Sequence, residues 1–195
     1  MSTACRTLAL TASVIALLGM NASAAEEKPA AATKNLVVYY SFSGNTELAA
    51  KTLAESIKAD VIQLEDVTKP SRDETFKSGK DASLQGKAWP IKPFKTDLSG
   101  YDRIFVGCPV WFSMPTPEFN AFVEQVDFTG KQVVVFVTLG GGSPDKAIKT
   151  MSDKITAKGG KIASSFFVRT KNTTTNDIVN KTKEISQQFS KPPAP

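Results

Sequence analysis

The chain has 195 residues, of which 41% are hydrophobic and 22% charged, and its formal net charge is +5. It has no histidine and only two cysteines, which excludes Ser-His-Asp and Cys-His catalysis, His-ligated metals and a structural zinc site. The lysines are scattered along the chain, so no nucleic-acid-binding surface is expected.

The first 24 residues have the composition of a secretory signal peptide. Arg6 precedes an apolar run at residues 8–18, and an Ala-x-Ala site ends at Ala24. The run is shorter than the about 20 residues that span a bilayer, so no stable membrane anchor is expected. We predict export to the periplasm or the medium. Removal of Arg6 lowers the net charge from +5 to +4 and leaves Cys108, interpreted as a buried, inert thiol.

Residues 35–189 are predicted to form one domain between a flexible leader (25–34) and a disordered tail (190–195). Five apolar, β-rich runs predict strands at 36–40, 61–64, 103–108, 132–138 and 161–168. Helical periodicity predicts helices at 46–58, 117–126, 144–158 and 176–189. Residues 66–100 are polar and predict a long surface excursion with one short helix near 71–79.

Alternating strands and helices predict an α/β fold, with a parallel sheet covered by helices on both faces. In such sheets ligands bind at the carboxyl ends of the strands, at the switch point. The loops that follow the first, third and fourth predicted strands are therefore the candidate site.

The first of these loops, S-F-S-G-N-T, opens a helix and is rich in small hydrogen-bonding side chains. Unpaired amides at a helix N-terminus attract anions, and glycine lets the backbone approach a ligand closely. The loop therefore predicts a phosphate site, and the alternative is a plain helix N-cap. The candidate phosphate-binding residues are Ser41, Ser43, Gly44, Asn45 and Thr46.

The segment VVYYSFSGNTELAAKTLAE resembles the phosphate-loop signature of flavodoxins. YDRIFVGCPVWF and FTGKQVVVFVTLGGG resemble the second and third flavin loops of short-chain flavodoxin-like proteins. The resemblance covers about residues 35–189. It implies a flavodoxin-like three-layer sandwich, with a five-stranded parallel sheet in the order 2-1-3-4-5, and FMN as the cofactor.

The second loop would contact the flavin ring, through the residues Pro109, Val110, Trp111, Phe112 and Ser113. Two adjacent aromatic residues at a strand end cannot both face the core, so one of them can provide a stacking wall. The alternative is that these rings form a hydrophobic plug beneath the loop. Trp89, in the excursion, is interpreted either as a lid over the flavin or as an anchor of the excursion.

The third loop would lie against the ring edge, through the residues Thr138, Leu139, Gly140, Gly141 and Gly142. Three glycines allow the backbone to lie flat against a planar ligand. The alternative is a flexible turn before the next helix.

A flavin supplies redox chemistry that the side chains lack. Three hypotheses about function follow from its presence or loss. The first is an exported carrier of electrons between partners, which are redox proteins or a small electron acceptor. The second is an FMN-dependent NAD(P)H:quinone-type oxidoreductase, and the third is a flavin-free binding domain. Export favours the carrier because free nucleotide is scarce outside the cytoplasm. The basic charge departs from the acidic character of many carrier flavodoxins.

Overall fold

The computed structural model describes residues 33–67 and 71–190. The predicted signal peptide, the leader up to residue 32 and the tail from residue 191 lie outside the described residues. The strands are β1 (Asn35–Tyr39), β2 (Asp60–Gln63), β3 (Arg103–Trp111), β4 (Met114–Pro115), β5 (Gln132–Leu139) and β6 (Lys161–Arg169). The helices are α1 (Asn45–Ile57), α2 (Arg72–Glu74), a π-helix (Thr75–Gly79), α3 (Lys80–Leu84), α4 (Pro117–Gln125), α5 (Asp145–Ala157), α6 (Thr175–Ser186) and a 3-10 turn (Gln187–Phe189).

The five long strands form a parallel sheet in the order β2-β1-β3-β5-β6. Counted without the two-residue β4, this is the order 2-1-3-4-5 implied by the resemblance, which is confirmed. β1, β3 and β5 are nearly continuous apolar runs because both of their faces are covered. β2 and β6 lie at the edges and are largely exposed.

Two separate cores lie on the two faces of the sheet, which confirms the predicted three layers. On one face, Phe122 of α4 and Met151 of α5 pack against the sheet together with the excursion residues Ile91 and Leu98. On the other face, α1 and α6 pack against it through a second buried cluster. Amphipathic helices therefore bury their apolar stripes on both sides of one sheet.

The prediction that the third strand ends at Cys108 is wrong, because β3 continues to Trp111. Its last residues pair with β4 as an antiparallel hairpin, with Val110 opposite Pro115 and Trp111 opposite Met114. This pairing satisfies backbone groups that a loop would leave to water. The residues from Pro109 to Trp111 are thereby held in a defined conformation.

The excursion is more ordered than its composition indicates. Its helical segment begins at Arg72 and reaches Leu84, beyond the predicted limit at 79. The Ser71 hydroxyl accepts from the Glu74 backbone N–H, and the Glu74 carboxylate accepts from the Ser71 backbone N–H, a reciprocal cap. Buried Ala82 and Ser83 extend its inner face. Asp66 and Ile91 form an isolated bridge that ties the two ends of the excursion together.

Within residues 33–67 and 71–190, no helix has the length and apolar character needed to cross a bilayer.

Candidate functional site

The loop after β1 is built as an anion cradle. Gly44 takes the left-handed conformation, with φ of 88°, and precedes α1 without any side-chain cap on the helix. Over the described part of the chain, the backbone N–H groups of residues 43–47 have no hydrogen-bond acceptor. The plain N-cap interpretation of Asn45 and Thr46 is therefore not what the structure shows. Free N–H groups at a helix N-terminus favour a negatively charged ligand.

Two hydroxyl groups complete the base of this loop. The Ser41 Oγ is buried and has no hydrogen-bond partner in the described chain, which is costly unless a ligand or water fills the gap. The Thr46 hydroxyl is buried and lies 2.7 Å from the Thr138 hydroxyl. Ser43 and Gly44 are exposed at the mouth of the loop. A phosphate group fits this arrangement, since it supplies acceptors for the unused donors.

The hydrogen bond between Thr46 and Thr138 joins the first loop to the third. Thr138→Val leaves the Thr46 hydroxyl buried without this partner, so we expect the free energy of unfolding to fall by about 1–3 kcal/mol. Thr138→Ser keeps the hydroxyl, and we expect a loss below about 1 kcal/mol. Urea unfolding monitored by circular dichroism measures both. Equal losses in the two variants would show that the hydroxyl bond contributes nothing.

The β3–β4 hairpin turns on Phe112 and Ser113, which both have positive φ, 51° and 66°. Two-residue turns of this kind favour glycine and asparagine, and a bulky residue in this conformation stores about 1–3 kcal/mol of strain. The turn leaves the Phe112 ring 42% exposed. The turn is thus strained, and it exposes an aromatic side chain at the edge of the sheet.

Trp111 is the centre of an aromatic cluster rather than a free wall. Its ring meets those of Tyr40, Phe42 and Trp89 edge-to-face, with centroid distances of 6.3, 5.5 and 6.2 Å. Phe42 and Phe112 are the members of this region with large exposed surfaces. They, with the partly exposed Trp111, are the aromatic surface available to a planar ligand.

Two residues take roles that the sequence left open or missed. The Trp89 backbone N–H donates to the Pro117 carbonyl at 3.2 Å, and its half-buried ring packs on Trp111. Trp89 therefore anchors the excursion to α4 and to the aromatic cluster around Trp111. Phe42 was not among the predicted site residues. Its sequence signal is a large apolar side chain in the middle of a polar loop.

The third loop presents backbone rather than side chains. Thr138 and Leu139 belong to β5, and their side chains are buried. The glycines at 140–142 are exposed, and nothing lies within 4 Å of a Cβ placed at Gly141 or Gly142. The Arg169 guanidinium donates to the Gly142 carbonyl at 3.2 Å. The predicted ring-edge contacts of this loop are therefore available from the glycine backbone.

Cys108 lies beneath the site as a buried, free thiol. The thiol is fully buried, free of disulfides and packed 3.7 Å from the Met151 sulfur. Burial raises the pKa of Cys108 to about 12, so the reactive thiolate is absent at neutral pH. The predicted burial of Cys108 is confirmed.

All three loops meet at one edge of the sheet. Tyr39 is paired with Gly107 and Pro109 with Thr138, so the carboxyl ends of β1, β3 and β5 are neighbours. An anion cradle, exposed aromatic rings and an open glycine backbone therefore lie side by side. This arrangement is typical of a mononucleotide-binding α/β protein.

Comparison with known proteins agrees with this class. The family model described as Flavodoxin matches residues 34–181. Flavodoxin 1 of Salmonella typhimurium is 27% identical over 104 residues, which are 51% of this chain and 46% of that protein. Flavodoxin of Haemophilus influenzae is 26% identical over 102 residues, 50% of this chain and 45% of that protein. The chain spans about half the length of these curated relatives.

Solved structures show the same fold. A flavoprotein in complex with FMN from Lactobacillus acidophilus superposes with a TM-score of 0.62 at 23% identity, covering 70% of this chain and 93% of that one. Oxidised flavodoxin 1 from Bacillus cereus superposes with a TM-score of 0.53 at 22% identity, covering 80% and 97%. The chain belongs to the flavodoxin family, which confirms the resemblance found in the sequence. The family assignment supports FMN as the cofactor.

Proposed function

We propose that this protein binds FMN at the edge formed by β1, β3 and β5, and that it carries electrons between partners outside the cytoplasm. The main support for the proposal is the loop at 41–46. In the described residues, the backbone N–H groups of this loop and its buried Ser41 hydroxyl have no hydrogen-bond partner. A phosphate monoester at this loop would satisfy these groups without a lysine or arginine.

The other two loops suit the rest of the cofactor. Phe42 and Phe112 offer exposed rings next to Trp111, against which a flat conjugated ring can stack. The backbone at 140–142 can approach the ring edge because the glycines have no side chains, and a Cβ placed at Gly141 or Gly142 would meet no atom within 4 Å. When bound, FMN supplies the electron chemistry, while the chain positions the ring and sets its surroundings.

Two features support a carrier. Exposed aromatic side chains at the site mouth offer a short path between the flavin and a docked protein. The N-terminal sequence is typical of an exported protein, which would not meet free NAD(P)H. Export itself is part of the proposal, and it is tested by finding the processed chain in the periplasmic or secreted fraction.

The carrier role predicts a clear result in rapid-mixing assays. We expect the oxidised holoprotein with NADPH and a soluble quinone to turn over below about 0.1 s⁻¹, far under the about 10 s⁻¹ of a median enzyme. We expect the chemically reduced holoprotein to reduce a one-electron protein acceptor, cytochrome c, within seconds. Fast NADPH oxidation would instead establish the quinone-reductase alternative.

A further inference from the structure

The most unusual ionisable group in the described chain is Glu118, the second residue of α4. Its side chain is 0% exposed, and neither carboxylate oxygen has a hydrogen-bond partner among residues 33–67 and 71–190. Within the same residues, no salt bridge includes Glu118. Burying an unpaired carboxylate is very costly, so the group requires a compensating partner.

The groups around Glu118 come from several segments of the chain. The Tyr40 hydroxyl donates to the Asp66 carboxylate at 2.9 Å, and the charge of Asp66 is the nearest one acting on the Glu118 carboxyl. Cys108 and Thr116 also face Glu118. Two carboxylates are both acceptors, so Asp66 and Glu118 cannot bond to each other unless one of them holds a proton.

Burial, and then the charge of Asp66, raise the pKa of Glu118 to about 8. Burial and the two carboxylates also raise the pKa of Tyr40, which keeps its hydroxyl a donor at neutral pH. Asp66 can then accept from both Tyr40 and protonated Glu118. This assignment gives one of the two buried Glu118 oxygens a hydrogen-bond partner within the described residues.

We propose that Glu118 is a positioning residue whose proton, shared with Asp66, locks together the three segments that bracket the flavin site. Tyr40 directly precedes the phosphate loop, Asp66 opens the excursion, and Glu118 follows the β3–β4 hairpin. The Tyr40 ring also packs on Trp111, at 6.3 Å between centroids. The inference rests on the proposed function only where it concerns FMN.

The proton confers a pH dependence of definite sign. The pKa of Glu118 in the folded protein lies above the 4.5 of an ordinary glutamate, so folding favours the protonated form. The stabilisation of the fold by the protonated Glu118 is complete below about pH 4.5 and is lost as the pH rises through about 8. Above that pH, the buried Glu118 carboxylate and the partly buried Asp66 carboxylate repel, and we expect the three segments to separate.

Experiments on the apoprotein test whether Glu118 holds a proton, without any flavin present. Infrared difference spectra should contain a protonated-carboxyl band that disappears with a midpoint near pH 8 and is missing in Glu118→Gln. Hydrogen exchange in the excursion, corrected for intrinsic rates, should accelerate above that midpoint in the wild type and stay constant in Glu118→Gln. The glutamine amide provides this rescue because it donates to Asp66 at every pH.

Titration with FMN between pH 6.5 and 9 tests the effect on the site. For a group titrating near pH 8, we expect the wild-type affinity to fall about tenfold from pH 7 to 9. Glu118→Gln should show an affinity independent of pH in this range, close to that of the wild type at pH 7. Glu118→Ala lacks the donor and should bind at least about threefold more weakly at pH 7.

Each contrary outcome identifies what fails. A missing carboxyl band at pH 7, or stability that rises with added KCl or NaCl at constant ionic strength, would replace the proton with a bound cation and overturn the proposal. If the protonated-carboxyl band is present but hydrogen exchange in the excursion does not change as the band disappears, the proton does not hold the three segments together and the proposal is overturned. Absence of FMN binding at all pH values would refute the proposed function, and the two apoprotein readouts would still decide the lock.

Discussion

Ser43→Asp is expected to weaken FMN binding by at least about 100-fold, equivalent to about 2.8 kcal/mol. Ser43 is exposed in the cradle, where the free N–H groups of residues 43–47 create a positive potential. A carboxylate there occupies the anion site and repels a phosphate dianion. Two charges about 5 Å apart at the protein surface interact by about 3 kcal/mol, which sets this magnitude.

Riboflavin provides the discriminating ligand because it lacks the phosphate. We expect its affinity to change by less than about threefold in Ser43→Asp, since the substitution leaves the Phe42 and Phe112 rings and the glycine backbone at 140–142 in place. Asn180→Asp, on the exposed face of α6, adds the same charge away from the site and controls for net charge. Equal weakening of FMN and riboflavin would mean that residue 43 acts on the fold rather than on a phosphate.

Gly107→Ala is expected to cost about 3 kcal/mol of unfolding free energy and to lower the yield of folded protein. Gly107 lies in β3 at the centre of the sheet, and a Cβ there would overlap the Phe136 ring. That ring cannot shift easily, because it is fully buried and stacked on Phe166 at 5.3 Å. The methyl group therefore forces the β-strands or the ring from their positions.

Gly100→Ala is the matched control for this substitution. No atom lies within 4 Å of a Cβ placed at Gly100, and its backbone is not left-handed. We expect a change within about 0.5 kcal/mol in urea unfolding. If Gly107→Ala is equally neutral, the contact between β3 and the Phe136 ring is looser than the structure shows.

The central strands and their order could be predicted because their signals are local and redundant. Continuous apolar runs such as 36–40 and 132–138 indicate strands covered on both faces, and their alternation with helices fixes a parallel sheet. The glycine at 44 also indicated a close backbone approach, and it is left-handed in the structure. Such features depend on residues adjacent in the chain.

The β3–β4 hairpin could not be predicted because it opposes local preference. Phe-Ser is an unfavourable sequence for a turn with two positive φ values, and Pro115 is a poor strand residue. The hairpin forms because Trp111 packs among three rings, from Tyr40 directly after β1, from the phosphate loop and from the excursion. These contacts join residues that lie far apart in the sequence.

Glu118 illustrates the same limit for the site. An acidic residue in the first turn of a helix, after Pro117, normally indicates an exposed partner of the helix dipole. The excursion packs over the start of α4, where the Trp89 backbone N–H donates to the Pro117 carbonyl and the Asn120 side chain donates to the Lys87 carbonyl. No pattern within the sequence of α4 reveals this cover. The burial of Glu118 is therefore visible only after folding.

Titration of the mature apoprotein with FMN and with riboflavin at pH 7 tests whether the loop 41–46 holds FMN by its phosphate. We expect a yellow 1:1 complex with quenched flavin fluorescence and an FMN affinity at least about 100-fold above that of riboflavin, which corresponds to about 2.8 kcal/mol from the phosphate. A folded apoprotein that binds neither flavin, or binds both equally, would contradict it.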